Sequence, residues 1–157
     1  DHDMIYKNFL SRIMIPLGTV VCLLAMVACE LETSDNGRLD GFWHLERIDT
    51  LSTGGTLDLS KQTVFWSVQH KLIQFRGGTQ RYYLRFVQTA DSLKLTEAFA
   101  DHGHEGGANG GDIPVTDGSV LAPYGVQAVG ECFYKESLTG SRMILRSERF
   151  RLCFRKF

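Results

Sequence analysis

From residue 41 onward the chain is written largely in a period of two. In "RFRLCFRKF" (149–157), Phe150, Leu152 and Phe154 alternate with Arg149, Arg151, Cys153 and Arg155. In "RYYLRFVQ" (81–88), Tyr82, Leu84 and Phe86 alternate with Arg81, Tyr83 and Arg85. Alternation at this period sorts the two sets onto opposite faces of an extended strand, whereas a helix would scatter them around its axis. A strand with one oily face needs neighbours for its backbone and a cover for that face. The period therefore commits the chain to a sheet that closes over its own apolar side.

The remaining segments agree. "GFWHLERIDT" (41–50), "TVFWSVQ" (63–69), "KLIQF" (71–75), "LKLTEAF" (93–99), "ECFYKESL" (131–138) and "RMILRS" (142–147) all read as strands. The apolar parity changes between Val64, Trp66, Val68 and Ile73, Phe75, which a turn or bulge near His70 reconciles. "RGGTQ" (76–80) and "TGS" (139–141) read as hairpin turns, and Leu93, Leu95 and Phe99 are expected on one face. The stretch 53–62 reads as a loop. Residues 101–119 form a second loop with six glycines that can bury little, followed by a short helical turn within 120–127. The expectation is an all-β domain over 41–157: a small antiparallel up-and-down barrel of about eight strands.

The N-terminal region has a different grammar. Lys7 and Arg12 precede an uncharged run from Ile13 to Ala28, after which "ELETSDNGRLDG" is polar and acidic. A basic start, an apolar middle and a small-residue end describe a secretory signal, here a signal-peptide helix over 1–28. A permanent membrane span needs about 20 apolar residues, and this run is shorter and contains Pro16. Its end, "MVAC" (26–29), resembles the lipobox of bacterial lipoproteins. That resemblance implies cleavage before Cys29, acylation of its thiol and amine, and a lipidated flexible tether over 29–40. Two or more acyl chains hold a protein stably at a membrane, where one holds it only marginally. The location this implies is the cell envelope of a Gram-negative bacterium, at the outer membrane, with the membrane as first partner through the lipid.

"GFWHL" (41–45) resembles the Gly-x-Trp signature that opens the first barrel strand of lipocalins, and the last strand is arginine-rich, where lipocalins place an arginine against that tryptophan. The order "FWSVQHKLIQF", "YLRFVQTADSLKL", "LAPYGV" and "LRSERFRLCFRKF" is similar to lipocalin-like bacterial lipoproteins of unknown function. The resemblance covers nearly all of 41–157 and implies a small β-barrel with an apolar interior, but no particular ligand.

Side chains with chemistry are sparse. His102 and His104, flanked by Asp101 and Glu105, are the residues able to hold Zn²⁺, Cu²⁺ or Ni²⁺. The surrounding glycines leave such ligands unfixed, so the loop is read as solvated and no metal or other cofactor is expected. No Gly-x-Ser-x-Gly elbow or phosphate-cradling loop occurs, and no enzyme is expected. Six basic residues within 141–157 alternate with apolar ones, which describes the wet face of strands and not a nucleic-acid surface, and the formal net charge of the chain is only -1. Cys132 and Cys153 are either an oxidised pair or packed thiols. Two functions follow. In the first, a non-catalytic, lipid-anchored barrel binds a small apolar or amphipathic ligand among Trp43, Trp66, Tyr82, Leu84, Phe86, Leu95 and Phe154. In the second, the barrel is solid and its loops dock an envelope partner. A connected apolar cavity would favour the first, and a close-packed interior the second.

Overall fold

The protein is described here from a computed structural model covering residues 34–103 and 112–157. Ten strands form a single antiparallel sheet: β1 (Gly41–Thr50), β2 (Thr56–Asp58), β3 (Phe65–Gln69), β4 (Leu72–Arg76), β5 (Tyr82–Gln88), β6 (Ser92–Ala100), β7 (Ile113–Pro114), β8 (Cys132–Leu138), β9 (Arg142–Arg146) and β10 (Phe150–Lys156). Eight of them close into a barrel in the order β1, β3, β4, β5, β6, β8, β9, β10, with β10 returning to β1. The short β2 and β7 are side pieces on β1 and β6. The loop expected over 53–62 thus contains a strand.

The alternation maps onto the wall as expected. Leu84 and Phe86 point inward, as do Leu152 and Phe154, and each of the eight barrel strands contributes to one buried cluster. The parity change at His70 is a two-residue turn closed by the pair Gln69 and Leu72. His70 takes φ +53° there, a conformation that costs a non-glycine residue about 1–2 kcal/mol.

Three bulges break the period. Glu46, Thr96 and Glu136 are the extra residues of β1, β6 and β8, where the register against the neighbouring strand shifts. Each lets a strand bend around a narrow barrel. The bulge in β6 corrects one expectation: beyond Thr96 the parity flips, so Ala98 is buried with Leu93 and Leu95 while Phe99 turns to the outer wall.

The folded body also begins earlier than Gly41. Ser34–Asp40, expected as flexible tether, carries a 3-10 turn (Gly37–Leu39) whose Leu39 is fully buried. Polar side chains fasten it: Ser34 Oγ accepts from His70 N at 2.9 Å, and Asn36 Nδ2 donates to His70 O. The strained turn at His70 is therefore clamped by residues that precede the first strand. Residues 29–33 lie outside the described part.

Candidate functional site

The barrel interior is the place to look for a site, and two segments that are not wall strands close its ends. At the end where the chain enters, Trp43 on β1 is fully buried and donates its indole N–H to Leu39 O at 2.7 Å. Lys156 Nζ lies 4.9 Å from the Trp43 ring centroid, a cation–π contact. The resemblance places an arginine of the last strand there, and this chain uses a lysine.

The opposite end is closed by a plug. A 3-10 segment, Gly118–Tyr124, crosses the mouth and buries Leu121 and Tyr124, and Val126 just beyond it is buried too. Asp117 starts it by accepting from Ser119 N, and Gly125 ends it at φ +83° with Leu152 so close that a Cβ would stand 2.7 Å from its Cδ2. The Tyr124 ring stacks on Phe75 at 4.9 Å. Its hydroxyl accepts from Gly78 N and donates to Gln80 O at 3.0 Å, and its carbonyl accepts from the Trp66 indole at 3.1 Å. Burial pushes the Tyr124 phenol up from its ordinary pKa, so it stays a donor.

Between these closures the bore is filled. β3 and β8 stand diametrically opposite in the wall. Yet Trp66 on β3 and Phe133 on β8 approach edge to face with centroids 6.0 Å apart, and Trp66 also meets Phe154 at 5.0 Å and Phe75 at 4.7 Å. Aromatic rings at these separations are in direct contact.

All seven residues read as ligand-binding candidates do line this interior. Trp43, Trp66, Leu84, Phe86, Leu95 and Phe154 are buried and Tyr82 is packed against the cluster at the plugged end. They form part of one packed core. The strongest contributions missed from the sequence are Phe75, Phe133 and Tyr124. Phe75 and Phe133 sit in alternating strands and were legible as inward-facing; Tyr124 follows no strand or helix period and gave no signal. His102 is exposed, and no cluster able to hold a metal exists among the described residues. His104 and Cys29 lie outside them. Cys132 and Cys153 are free thiols, on strands separated by β9 and at different heights of the wall, beyond the reach of a disulfide.

Outside the barrel, three arginines of the C-terminal strands, Arg146, Arg151 and Arg155, are partnered. Glu136 takes Arg151 at 2.7 Å and Arg146 at 3.0 Å, and Glu46 takes Arg155 at 2.6 Å. Glu136 holds the Arg151 guanidinium above its ordinary pKa. Beside Arg155, His44 is a buried polar residue on the outer wall. Its Nε2 bonds Gln62 O, its ring stacks on Phe65, and its Nδ1 has no hydrogen-bond partner among the described residues. A surface depression of about 520 Å³ flanks the plug, between Gln127–Cys132 and Ser147–Arg149.

Comparison with known proteins agrees with this architecture. The family described as lipocalin-like domain matches residues 22–157. The crystal structure of a lipocalin-like protein from Bacteroides uniformis superposes with a TM-score of 0.56 at 20% identity, covering 77% of this chain and 100% of that one. That of an uncharacterized protein from Bacteroides eggerthii gives 0.52 at 22% identity, covering 75% and 98%. These two likenesses concern the fold. No curated protein matches the chain.

Proposed function

Because this chain belongs to the lipocalin-like domain family, we propose that it is a non-catalytic binding protein of the cell envelope, held by lipid at Cys29, whose solid barrel docks a partner through the loops of its plugged end. The observation that carries this reading is the contact of Trp66 and Phe133 across the full bore. A barrel of about eight strands has room for side chains or for one small ligand, and here side chains occupy it. The side walls offer ion pairs already satisfied on the sheet, whereas the plugged end offers a depression lined by exposed Glu148 and Arg149, and exposed Ile113 and Val120 besides.

One observation favours ligand carriage as a second reading. The plug is a discrete segment, bounded by Gly118 and by Gly125 in the left-handed region. Swinging it out would expose the buried Leu121 and Tyr124 side chains at about 1.5–3 kcal/mol each, a cost that an apolar ligand of equal area would offset.

Titration of the full chain with palmitate, read by tryptophan fluorescence, separates the two. The solid barrel predicts no saturable change, since Trp66 has no room for a neighbour. Saturable one-to-one quenching, with faster amide exchange over 118–126, would replace docking by carriage.

A further inference from the structure

The barrel has a top and a bottom with respect to the membrane, and this follows from where the chain leaves the fold. It rests on the lipidation of Cys29 proposed above. Ser34 is held at the β3–β4 turn by His70, and Asn36 Oδ1 accepts from Gln88 Nε2 beside the β5–β6 turn. Cys29 lies only five residue steps before Ser34. Fully extended they reach about 18 Å. The wall has a similar height: β10, seven residues long, rises about 23 Å along its axis and, tilted by about 40°, about 18 Å along the barrel. To bring the plugged end to the bilayer, the tether would have to run taut along the whole wall. The entry end needs no such path.

The chemistry of that rim fits a lipid surface. Arg38, in the 3-10 turn, and Lys71, in the β3–β4 turn, are exposed and make no ion pair with a described residue. Arg47, Arg81, Arg85, Arg146, Arg151 and Arg155, on or beside the walls, are all paired. The rim acids are Asp35, which is exposed, Asp40, engaged by Ser34 and Asn36, and Asp91. Around the same rim stand Leu72 at 43% exposure, Val87 at 57% and Phe157 at 79%. Apolar exposure alone does not choose an end, because Leu57 and Ile113 are also exposed toward the other. Nor do unpaired cations, since Arg76 and Arg149 toward the other end are also exposed and make no ion pair with a described residue; the point of exit does.

We infer that the entry rim, centred on Arg38, Lys71, Leu72 and Val87, is a docking surface for the phosphate-bearing surface of the membrane that holds the lipid anchor. The cations meet lipid phosphates, the apolar side chains enter the headgroup layer, and the plugged end points away from the bilayer.

The test uses the full chain with its lipid, reconstituted in vesicles of phosphatidylethanolamine and phosphatidylglycerol. Intact mass is read first. An unacylated Cys29 would sink the anchor and this inference together. With acylation established, hydrogen exchange should slow at the rim turns 69–72 and 87–91 relative to detergent, and stay unchanged at 51–55 and 147–149. Lys71→Glu with Arg38→Glu should reverse the slowing by about fivefold for each cation held at an anionic surface, on the order of thirtyfold together. Slowing at 147–149 instead, no slowing anywhere, or rim slowing indifferent to the charge reversals would overturn the docking surface while leaving the anchor intact.

Discussion

The two ends of the barrel are closed by the same device, a 3-10 segment carrying buried apolar side chains, but they are built differently. At the entry end the strands run continuously to the rim, and Leu39 and Trp43 close a wall whose seams are all paired. At the plugged end two seams part. β1 pairs with β3 over Gly41–His44 and then with β2 over Arg47–Asp49. β6 pairs with β8 near its start and with β7 at its finish. Short side strands, the plug and turn glycines fill what continuous strands fill at the other end. Closure by wall strands ties an end to the global fold, while closure by a segment laid across a mouth ties it only to local contacts.

The largest expected effect tests the entry end. Trp43→Ala removes a fully buried indole and its hydrogen bond to Leu39 O, and should destabilise by about 3–5 kcal/mol in a urea melt. For a small domain that is a large share of the total. A loss below about 1 kcal/mol would show that this end is no part of the cooperative unit.

A pair of glycines sharpens the comparison. Gly77, at the plugged end, takes φ +112°, and a Cβ there would fall 1.5 Å from the backbone oxygen of Thr63. Gly41, at the entry end, takes φ +134°, but its Cβ would meet the movable end of the Lys156 side chain. Both substitutions carry backbone strain of about 1–3 kcal/mol, and only Gly77→Ala must also displace backbone. Gly77→Ala should therefore lower the thermal midpoint clearly more than Gly41→Ala. Equal losses would mean that the β4–β5 turn yields as easily as a lysine tail.

The smallest effect is one of pH. Asp101, at the foot of the plugged end, accepts from Gly103 N at 2.8 Å and pairs with Arg81 at 3.0 Å. The Gly103 amide first, then Arg81, hold its carboxyl below the ordinary carboxylate pKa against some desolvation. Asp117 is lowered likewise by the Ser119 amide that starts the plug. A lowered native pKa adds stability above the unfolded value, and that stability is lost as pH falls through the native one. Amide exchange at Gly103 and Ser119 should quicken below about pH 4, before the barrel melts. Exchange there that quickens only together with Trp43 and Leu84 would deny the plugged end its local behaviour.

Much of this was legible in the sequence. The period of two named the wall strands and their inward residues, because side-chain parity in a strand depends on nothing beyond the strand. The failures share a cause. Phe99 was assigned to the wrong face because the bulge at Thr96 is set by pairing with β5. Ser34–Asp40 read as spacer because their polar side chains gave no sign that Ser34 and Asn36 would clamp a turn 34 or more residues away. The short helical turn within 120–127 was legible, but its place across the mouth was not, because Leu121, Tyr124 and Val126 follow no period.

The sequence by itself determined an all-β antiparallel barrel and the identity of its lining, since alternation and turn chemistry are local and every strand repeats the same instruction. Only the tertiary structure decided that the lining fills the bore, that a non-strand segment seals one mouth, and that the chain leaves from the other. Those outcomes depend on distances between residues far apart in sequence, such as Trp66 and Phe133, and a barrel can close with the same pattern and a different radius.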